Sequence, residues 1–204
     1  MNEQRPITIV NVGYRSTNVW VISRGRSRLM LDLGWPGTMG SLRANLKRMD
    51  IPLEEIRFGL ATHYHMDHAG LAQDLKLAGM TLIVVDTQLT AIPELKGWMK
   101  PEDHYREIST DDNLVISTSE SRDILSRAGF SGEILSTPGH SDDSVSLLLD
   151  DGSAFTGDLT WPGMAPETAA AEVTASWRSL AEHGARRIYP GHGPIRPMPD
   201  NITG

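Results

Sequence analysis

Cysteine is absent from the 204 residues of this chain. Its absence excludes disulfide bonds, thiolate metal ligands and a cysteine nucleophile. Any metal ion that the chain binds must therefore be held by nitrogen and oxygen atoms.

Long apolar runs and clusters of positive charge are also missing. No stretch approaches the roughly 20 apolar residues that a membrane helix needs, so we expect no membrane partner. The first residues show no basic stretch followed by an apolar one, and the expected location is the cytoplasm. A net charge of −7 without a cluster of Lys and Arg argues against nucleic acid as a partner.

Short apolar runs alternate with amphipathic segments along the chain. The predicted strands lie at 7–12, 18–23, 28–33, 56–62, 81–86, 132–137, 144–158 (a hairpin) and 186–191. The predicted helices lie at 41–49, 70–79, 121–129 and 172–184. Ser41 is the expected N-cap of the first helix, and Trp177, Leu180 and Ala181 are the expected buried face of the last. This order predicts one domain over residues 1–204, with two packed sheets and helices outside.

Three of the seven histidines fall within the six residues "HYHMDH", at positions 63–68. His63 and His65 directly follow a predicted strand, and alternate residues of an extended segment project to the same side. Both imidazoles can therefore meet one ion. Asp67 and His68 follow where the chain bends, and they could serve a second ion. Zinc, iron and manganese accept such a mixture of imidazole and carboxylate ligands.

Further candidate ligands occur in loops elsewhere in the chain. Each ion needs three or four protein ligands, so "HYHMDH" is too small to hold two ions by itself. His140, Asp158 and His192 each follow a predicted strand, and each has a glycine as its neighbour. A rigid sheet holds such loops in place, which favours a functional role for these three side chains.

The order of these residues carries a family resemblance. "HYHMDH", followed by a distant His, a distant Asp and a final His, resembles the signature H-x-H-x-D-H…H…D…H of the metallo-β-lactamase superfamily. Upstream, "LMLDLG" with Asp32 and Gly34 is similar to the first motif of that family. The resemblance implies an α/β fold, a four-layered αβ/βα sandwich. It also implies two divalent metal ions as cofactors, zinc first, with iron or manganese as alternatives.

Specific roles follow from the resemblance. The implied ligands are His63, His65 and His140 for the first ion, Asp67, His68 and His192 for the second, and Asp158 as the bridge between them. Asp67 is also expected to act in catalysis by accepting a proton. Asp32 is expected to accept hydrogen bonds that fix the ligand loop, and a turn aspartate that caps a backbone amide is the alternative. His104 and His183 match no motif and are expected at the surface.

The carboxylate at position 158 limits which activities of the family the resemblance implies. The glyoxalase II, lactonase and phosphodiesterase branches have a carboxylate at the comparable position, whereas the common zinc β-lactamases carry Cys or Ser there. The resemblance thus implies a dinuclear hydrolase, whose metal-bridging hydroxide attacks an ester, thioester or lactone of a small molecule. A phosphodiesterase with the same ligands stays open. So does a persulfide dioxygenase with one iron at the equivalents of His63, His140 and Asp158. A true β-lactamase is disfavoured.

Two segments are candidates for contacting the substrate. Residues 87–112 form a long connection that contains Trp98 and Tyr105, and whether it covers the site is open. Trp161 and Met164 lie in a Pro-Gly loop just after Asp158. These side chains predict an apolar wall that suits an acyl or aromatic group. Local packing against the sheet is the alternative.

Overall fold

The computed structural model describes residues 6–200 and 202, in which the first sheet has six strands. The strands lie side by side in chain order: β1 (Thr8–Asn11), β2 (Trp20–Arg24), β3 (Ser27–Leu31), β4 (Ile56–Leu60), β5 (Thr81–Val85) and β6 (Leu114–Ile116). β1 to β3 pair antiparallel, and β3 to β6 pair parallel. The predicted strands of the first half are confirmed.

The second sheet has five strands in the order β11-β10-β9-β8-β7. They are β7 (Gly132–Ser136), β8 (Val145–Leu149), β9 (Ser153–Gly157), β10 (Arg187–Pro190) and β11 (Arg196–Pro197). The predicted hairpin is confirmed, since β8 and β9 pair antiparallel across the turn at 150–152. Gly152 in that turn has φ = 86°, a conformation that glycine adopts without steric cost.

Helices lie outside the sheets and connect the strands. They are α1 (Met39–Arg48), α2 (Met66–Ala69), α3 (Ala72–Leu77), α4 (Ala91–Leu95), α5 (Ser121–Arg127) and α6 (Ala170–Glu182), with short 3₁₀ turns at 53–55, 86–88, 96–98, 101–103 and 118–120. The predicted N-cap Ser41 is wrong, because α1 begins two residues earlier with Thr38 as its N-cap. Trp177 and Leu180 of α6 are buried as predicted, but Ala181 is exposed because the buried stripe is narrower than expected.

Three apolar clusters fill the spaces between the layers. The central one joins the inner faces of the two sheets, with Leu31 and Ile83 from the first sheet and Leu147 and Phe155 from the second. A second cluster packs α1 and α3 on the first sheet, and a third packs α6 on the second sheet. The predicted four-layered αβ/βα sandwich is therefore confirmed. Within the described residues, no helix has the length and apolar character needed to cross a membrane.

Loops that follow four of the strands meet at one end of the sandwich. The Val145 amide donates a hydrogen bond to the Thr62 carbonyl (2.8 Å), which ties the loop after β4 to the start of β8. The Gly191 amide donates to the Gly157 carbonyl (2.7 Å), which ties the loop after β10 to the end of β9. Gly157 is required there, because a Cβ atom would overlap the Thr62 hydroxyl. This end of the sandwich carries all of the predicted metal ligands.

Candidate metal centre

Three histidines form what we call the imidazole group: His63, His65 and His140. The Nδ1 atom of His65 lies 3.0 Å from His63 Nε2 and 3.0 Å from His140 Nε2. His63 is buried at the end of β4, and its Nδ1 atom lies 3.2 Å from the Thr62 hydroxyl. One nitrogen from each ring lies within 4.8 Å of the others, so the three could hold one metal ion.

A second set, the mixed group, consists of Asp67, His68 and His192. Asp67 and His68 lie on the single turn of α2, and His192 lies in the loop after β10. Oδ2 of Asp67 lies 3.3 Å from His68 Nε2 and 3.2 Å from His192 Nε2. Their ligand atoms also fall within 4.8 Å of one another, so this group could hold a second ion.

Asp158 lies between the two groups, directly after β9. Its Oδ1 atom is 3.3 Å from His68 Nε2, and its Oδ2 atom is 3.3 Å from His192 Nε2 and 3.8 Å from His140 Nε2. One carboxylate therefore contacts members of both groups. The neighbouring Gly191 makes this possible, because a Cβ atom at that position would overlap Asp158 Oδ1.

Two buried atoms at the centre of the cluster test whether metal ions fit. His68 Nε2 and Asp158 Oδ1 are buried and lie 3.3 Å apart, but among the described residues neither atom makes a hydrogen bond of good geometry. Leaving such a group unpaired costs roughly 1–3 kcal/mol. A divalent cation bound by both atoms would remove that cost, and the imidazole and carboxylate donors suit zinc, iron or manganese. The residues present therefore fit a metal centre.

Asp32 lies behind the mixed group and is almost fully buried. Its Oδ1 atom accepts hydrogen bonds from the Thr62 amide (2.9 Å) and the Thr62 hydroxyl (2.8 Å). Its Oδ2 atom lies 2.9 Å from His68 Nδ1. Asp32 thus connects the loop after β4 to a ring of the mixed group, and such contacts orient metal-binding imidazoles.

The connection between β1 and β2 supplies two contacts that sequence reasoning missed. The Thr17 hydroxyl donates a hydrogen bond to Asp67 Oδ2 (2.7 Å), and His192 Nδ1 donates to the Ser16 carbonyl (2.7 Å). Asp67 is 50 residues from Thr17 and His192 is 176 from Ser16, so no local spacing could have revealed the pairs.

Buried polar groups also hold the loop that carries the imidazole group. Asp143 accepts a hydrogen bond from the Tyr64 amide (2.7 Å). Gln88 is fully buried, and its amide nitrogen donates to the carbonyls of Ala61 (3.1 Å) and Asp143 (3.2 Å). Tyr64 itself belongs to the apolar cluster that packs α1 and α3 on the first sheet, where burial raises the pKa of its hydroxyl well above the ordinary value. Tyr64 is therefore a core residue.

The electrostatic environments of His63 and His68 are opposite. Burial, followed by the neighbouring imidazoles, lowers the pKa of His63 well below its ordinary value. Burial acts in the same direction on His68, but the carboxylates of Asp32, Asp158 and Asp67 outweigh it and raise the pKa of that ring. Without metal, His63 is neutral near pH 7 and His68 is protonated.

The two carboxylates of the site stay ionised despite their burial. Burial opposes ionisation of Asp67, but His68 and the Thr17 hydroxyl hold its pKa far below the ordinary value. Burial likewise opposes ionisation of Asp158, and contacts with His68, His192 and His140 lower its pKa. Both carboxylates are therefore available as ligands at neutral pH.

The structure separates the four predicted substrate residues into two pairs. Trp161 and Met164 line a cavity of about 410 Å³ that is also lined by His140, Asp158 and His192. Trp98 does not line this cavity, and its side chain is 72% exposed. Tyr105 is half-buried and packs against the cluster between α1, α3 and the first sheet, where burial raises the pKa of its hydroxyl to about 12. His104 and His183 are exposed, as predicted.

A four-layered αβ/βα sandwich with five histidines and two aspartates at one end defines a class of metal-binding α/β proteins. A family profile described as the metallo-beta-lactamase superfamily matches residues 12–192. The chain belongs to this superfamily, as the resemblance predicted.

Individual relatives agree with this assignment. A lactamase-like protein of Pestalotiopsis microspora is 28% identical over 185 residues, which are 89% of this chain and 50% of that protein. An atrochrysone carboxyl ACP thioesterase of Aspergillus fumigatus is 29% identical over 188 residues, which are 89% of this chain and 52% of that protein. The chain thus spans about half the length of these curated relatives. A metallo-beta-lactamase family protein from Thermus thermophilus shares the fold, with a TM-score of 0.69 and 18% identity over 95% of this chain and 74% of that chain.

Proposed function

We propose that the protein is a dinuclear metal-dependent hydrolase of carbonyl esters, thioesters or lactones. The observation that carries this proposal is the position of Asp158, whose two oxygens contact His68 and His192 on one side and His140 on the other. A carboxylate in that position suits a bridge between two ions. The open cavity beside it provides a place for a substrate.

The proposed ligands divide into the two groups described above. The imidazole group would hold the first ion and the mixed group the second, and Asp158 would contact both. Zinc is the favoured metal, with iron or manganese as alternatives. When bound, such ions polarise a substrate carbonyl and lower the pKa of a water molecule from about 16 to about 7.

Side chains of the chain itself orient the attacking water and the substrate. The pKa of Asp67 lies far below its ordinary value, so the carboxylate is a weaker proton acceptor than the sequence suggested. It is ionised and partly exposed, and it would accept a hydrogen bond from the attacking water and so orient that water. The Thr17 hydroxyl occupies one position on Asp67 Oδ2 and thereby fixes the plane of the carboxylate. Trp161 and Met164 offer apolar surface to the body of the substrate, which favours an acyl or aromatic group.

The choice of a carbonyl substrate has support from the comparisons. One relative is named a thioesterase of an acyl carrier protein, and attack on a thioester is the same chemistry as attack on an ester or lactone. The apolar surface of Trp161 and Met164 in the cavity suits the acyl part of such a substrate.

A substrate panel on protein of known metal content tests the proposal. The panel holds a glutathione thioester, an acyl lactone, an aryl phosphodiester and a chromogenic β-lactam. We expect two metal ions per chain and turnover of the thioester or lactone. Preference for the phosphodiester would replace the proposal with a phosphodiesterase. One iron per chain with oxygen consumption on a persulfide would replace it with a dioxygenase.

A further inference from the structure

Arg196 lines the same cavity as Trp161, at the edge of the second sheet. The carbon at the centre of its guanidinium group lies 5.2 Å from the centroid of the Trp161 ring. A cation over an indole face at this distance is attracted to the ring. The side chain is exposed, so the charge lies at the mouth of the cavity.

The sheet fixes the position of Arg196. The residue begins β11 and pairs directly with Ile188 of β10, so the two side chains lie on the same face of the sheet. Ile188 is buried in the cluster beneath α6, together with Trp177. A backbone hydrogen bond from the Met198 amide to the Arg186 carbonyl (2.9 Å) holds the hairpin closed.

Within residues 6–200 and 202, Arg196 forms no ion pair with a carboxylate, so its guanidinium is free to meet an anion. It differs from the other unpaired arginines described there because it lines the cavity. The guanidinium keeps its charge under all relevant conditions. An unpaired cation that stacks on the wall of an apolar cavity is suited to the anionic end of a bound molecule.

We infer that the substrate is an acyl compound with a carboxylate distant from the scissile carbonyl, and that Arg196 binds this carboxylate. The inference rests on the proposed hydrolase function and names its substrate class. The apolar body of the acyl group lies against Trp161, between Asp158 and Arg196, which line the same cavity. A guanidinium binds a carboxylate through two parallel N–H···O hydrogen bonds, which fixes the orientation of the bound acid.

A matched pair of substrates tests the inference by their charge. The pair is the N-acetylcysteamine thioester of glutaric acid, with a free carboxylate, and the same compound with a primary amide in place of the carboxylate, which is neutral. We expect Arg196→Met to raise the KM of the free acid about fivefold and to leave the KM of the primary amide unchanged. Arg196→Lys should restore part of the difference. Trp161→Ala should raise both KM values, because it removes apolar contact from both compounds.

Arg178→Met is the control, because Arg178 is exposed on α6 and does not line the cavity. It removes the same charge and should leave both KM values unchanged. An equal effect of the two arginine variants would overturn the inference, because the loss would then reflect net charge. Equal KM values for both substrates in the unaltered protein would overturn it as well.

A binding measurement separates this inference from the proposed function. The stable N-butyl amide of glutaric acid, with a free carboxylate, and its neutral counterpart with a primary amide in place of the carboxylate are titrated into the purified protein, and tryptophan fluorescence is followed. We expect tighter binding of the free acid, and loss of that preference in Arg196→Met. This result would support the inference even if no thioester is hydrolysed, a failure that would count against the hydrolase alone. Equal binding of the two amides would overturn the inference whatever the activity.

Discussion

The two ligand groups of the candidate metal centre differ in how the protein holds them. Each side chain of the mixed group has its own partner, namely the Thr17 hydroxyl, the Asp32 carboxylate or the Ser16 carbonyl. Among the described residues, the imidazole group has one such partner, the Thr62 hydroxyl beside His63. The other contacts described for that group are between its own rings, with Asp158, and between the His63 and His68 rings, whose centroids lie 4.2 Å apart. The mixed group is therefore the more firmly oriented of the two.

The groups also differ in charge. Burial lowers the pKa of His63 and of His140, so these two rings of the imidazole group offer free nitrogens to an ion near pH 7. Carboxylates raise the pKa of His68, so an ion must displace a proton from that ring before it can bind there. Protons thus compete with an ion at His68 but not at His63 or His140. Each of the following predictions changes one side chain or the pH to test how the two groups differ in orientation and charge.

Asp158→Ala removes the contact that the two groups share, and we expect the largest effect from it. The metal content should fall below two ions per chain, and kcat/KM for the best panel substrate should drop about 100- to 1,000-fold. Metal analysis and steady-state kinetics measure the two effects. Asp123→Ala, an exposed carboxylate on α5, is the control and should retain both metal and activity. Two ions per chain in Asp158→Ala would contradict the bridging role.

Asp32→Asn acts on the mixed group alone. Asparagine tolerates the backbone of this position, where φ is 57°, and it can still accept hydrogen bonds from Thr62. It loses the negative charge that faces His68. We expect the second ion to bind about 10- to 100-fold more weakly, with little change in binding of the first. A competition titration with a coloured chelator measures both steps, and an equal loss at both would show that Asp32 supports the whole site.

The number of protons released as each metal ion binds tests the predicted difference in protonation between His68 and the imidazole group. At pH 7 the solution lies above the ordinary histidine pKa of about 6.5, yet His68 keeps its proton because its pKa is raised. Binding at the mixed group should then release a proton, and binding at the imidazole group should release fewer. Calorimetry in two buffers of different ionisation enthalpy measures the release. As the pH rises through the raised pKa of His68, this release should vanish. Equal release in both steps would contradict the assignment.

The part of the fold that the sequence predicts is the part governed by local pattern. Strands such as β5 are continuous apolar runs, and the β8–β9 hairpin has an Asp-Gly turn. β6 was missed because it has three residues and an exposed Val115, too few for a recognisable pattern. α4 was missed because it is a single short helix that contains Pro93, within a connection that has no helical period.

In the candidate site, too, the sequence predicts features that follow from local pattern and misses those that depend on contacts across the fold. The seven predicted ligands follow strands or lie in one contiguous motif, so their positions along the chain reveal them. Thr17 and Ser16 were missed because they reach the ligands across the fold from the β1–β2 connection. Arg196 was missed for a related reason, since its position over Trp161 follows from the pairing of β10 with β11. Such contacts depend on how the layers pack, which no local spacing encodes.

Thr17→Val gives the smallest expected effect and the sharpest test of the difference in orientation. Valine keeps the shape of the buried threonine but removes the hydrogen bond to Asp67 Oδ2, and it leaves Trp35 Nε1 without its acceptor. A hydrogen bond is worth about 1 kcal/mol, which corresponds to roughly fivefold weaker binding of the second ion.

Binding of the first ion should not change in Thr17→Val, because the hydrogen bonds of the Thr17 hydroxyl go to Asp67 and Trp35, which lie outside the imidazole group. Thr174→Val, on α6, is the control for a general effect of this substitution on stability. If both binding steps weaken equally in Thr17→Val and neither weakens in the control, the two ions depend on Asp67 together. The hydrogen bonds around the mixed group would then orient the whole centre, and the two groups would differ in charge alone.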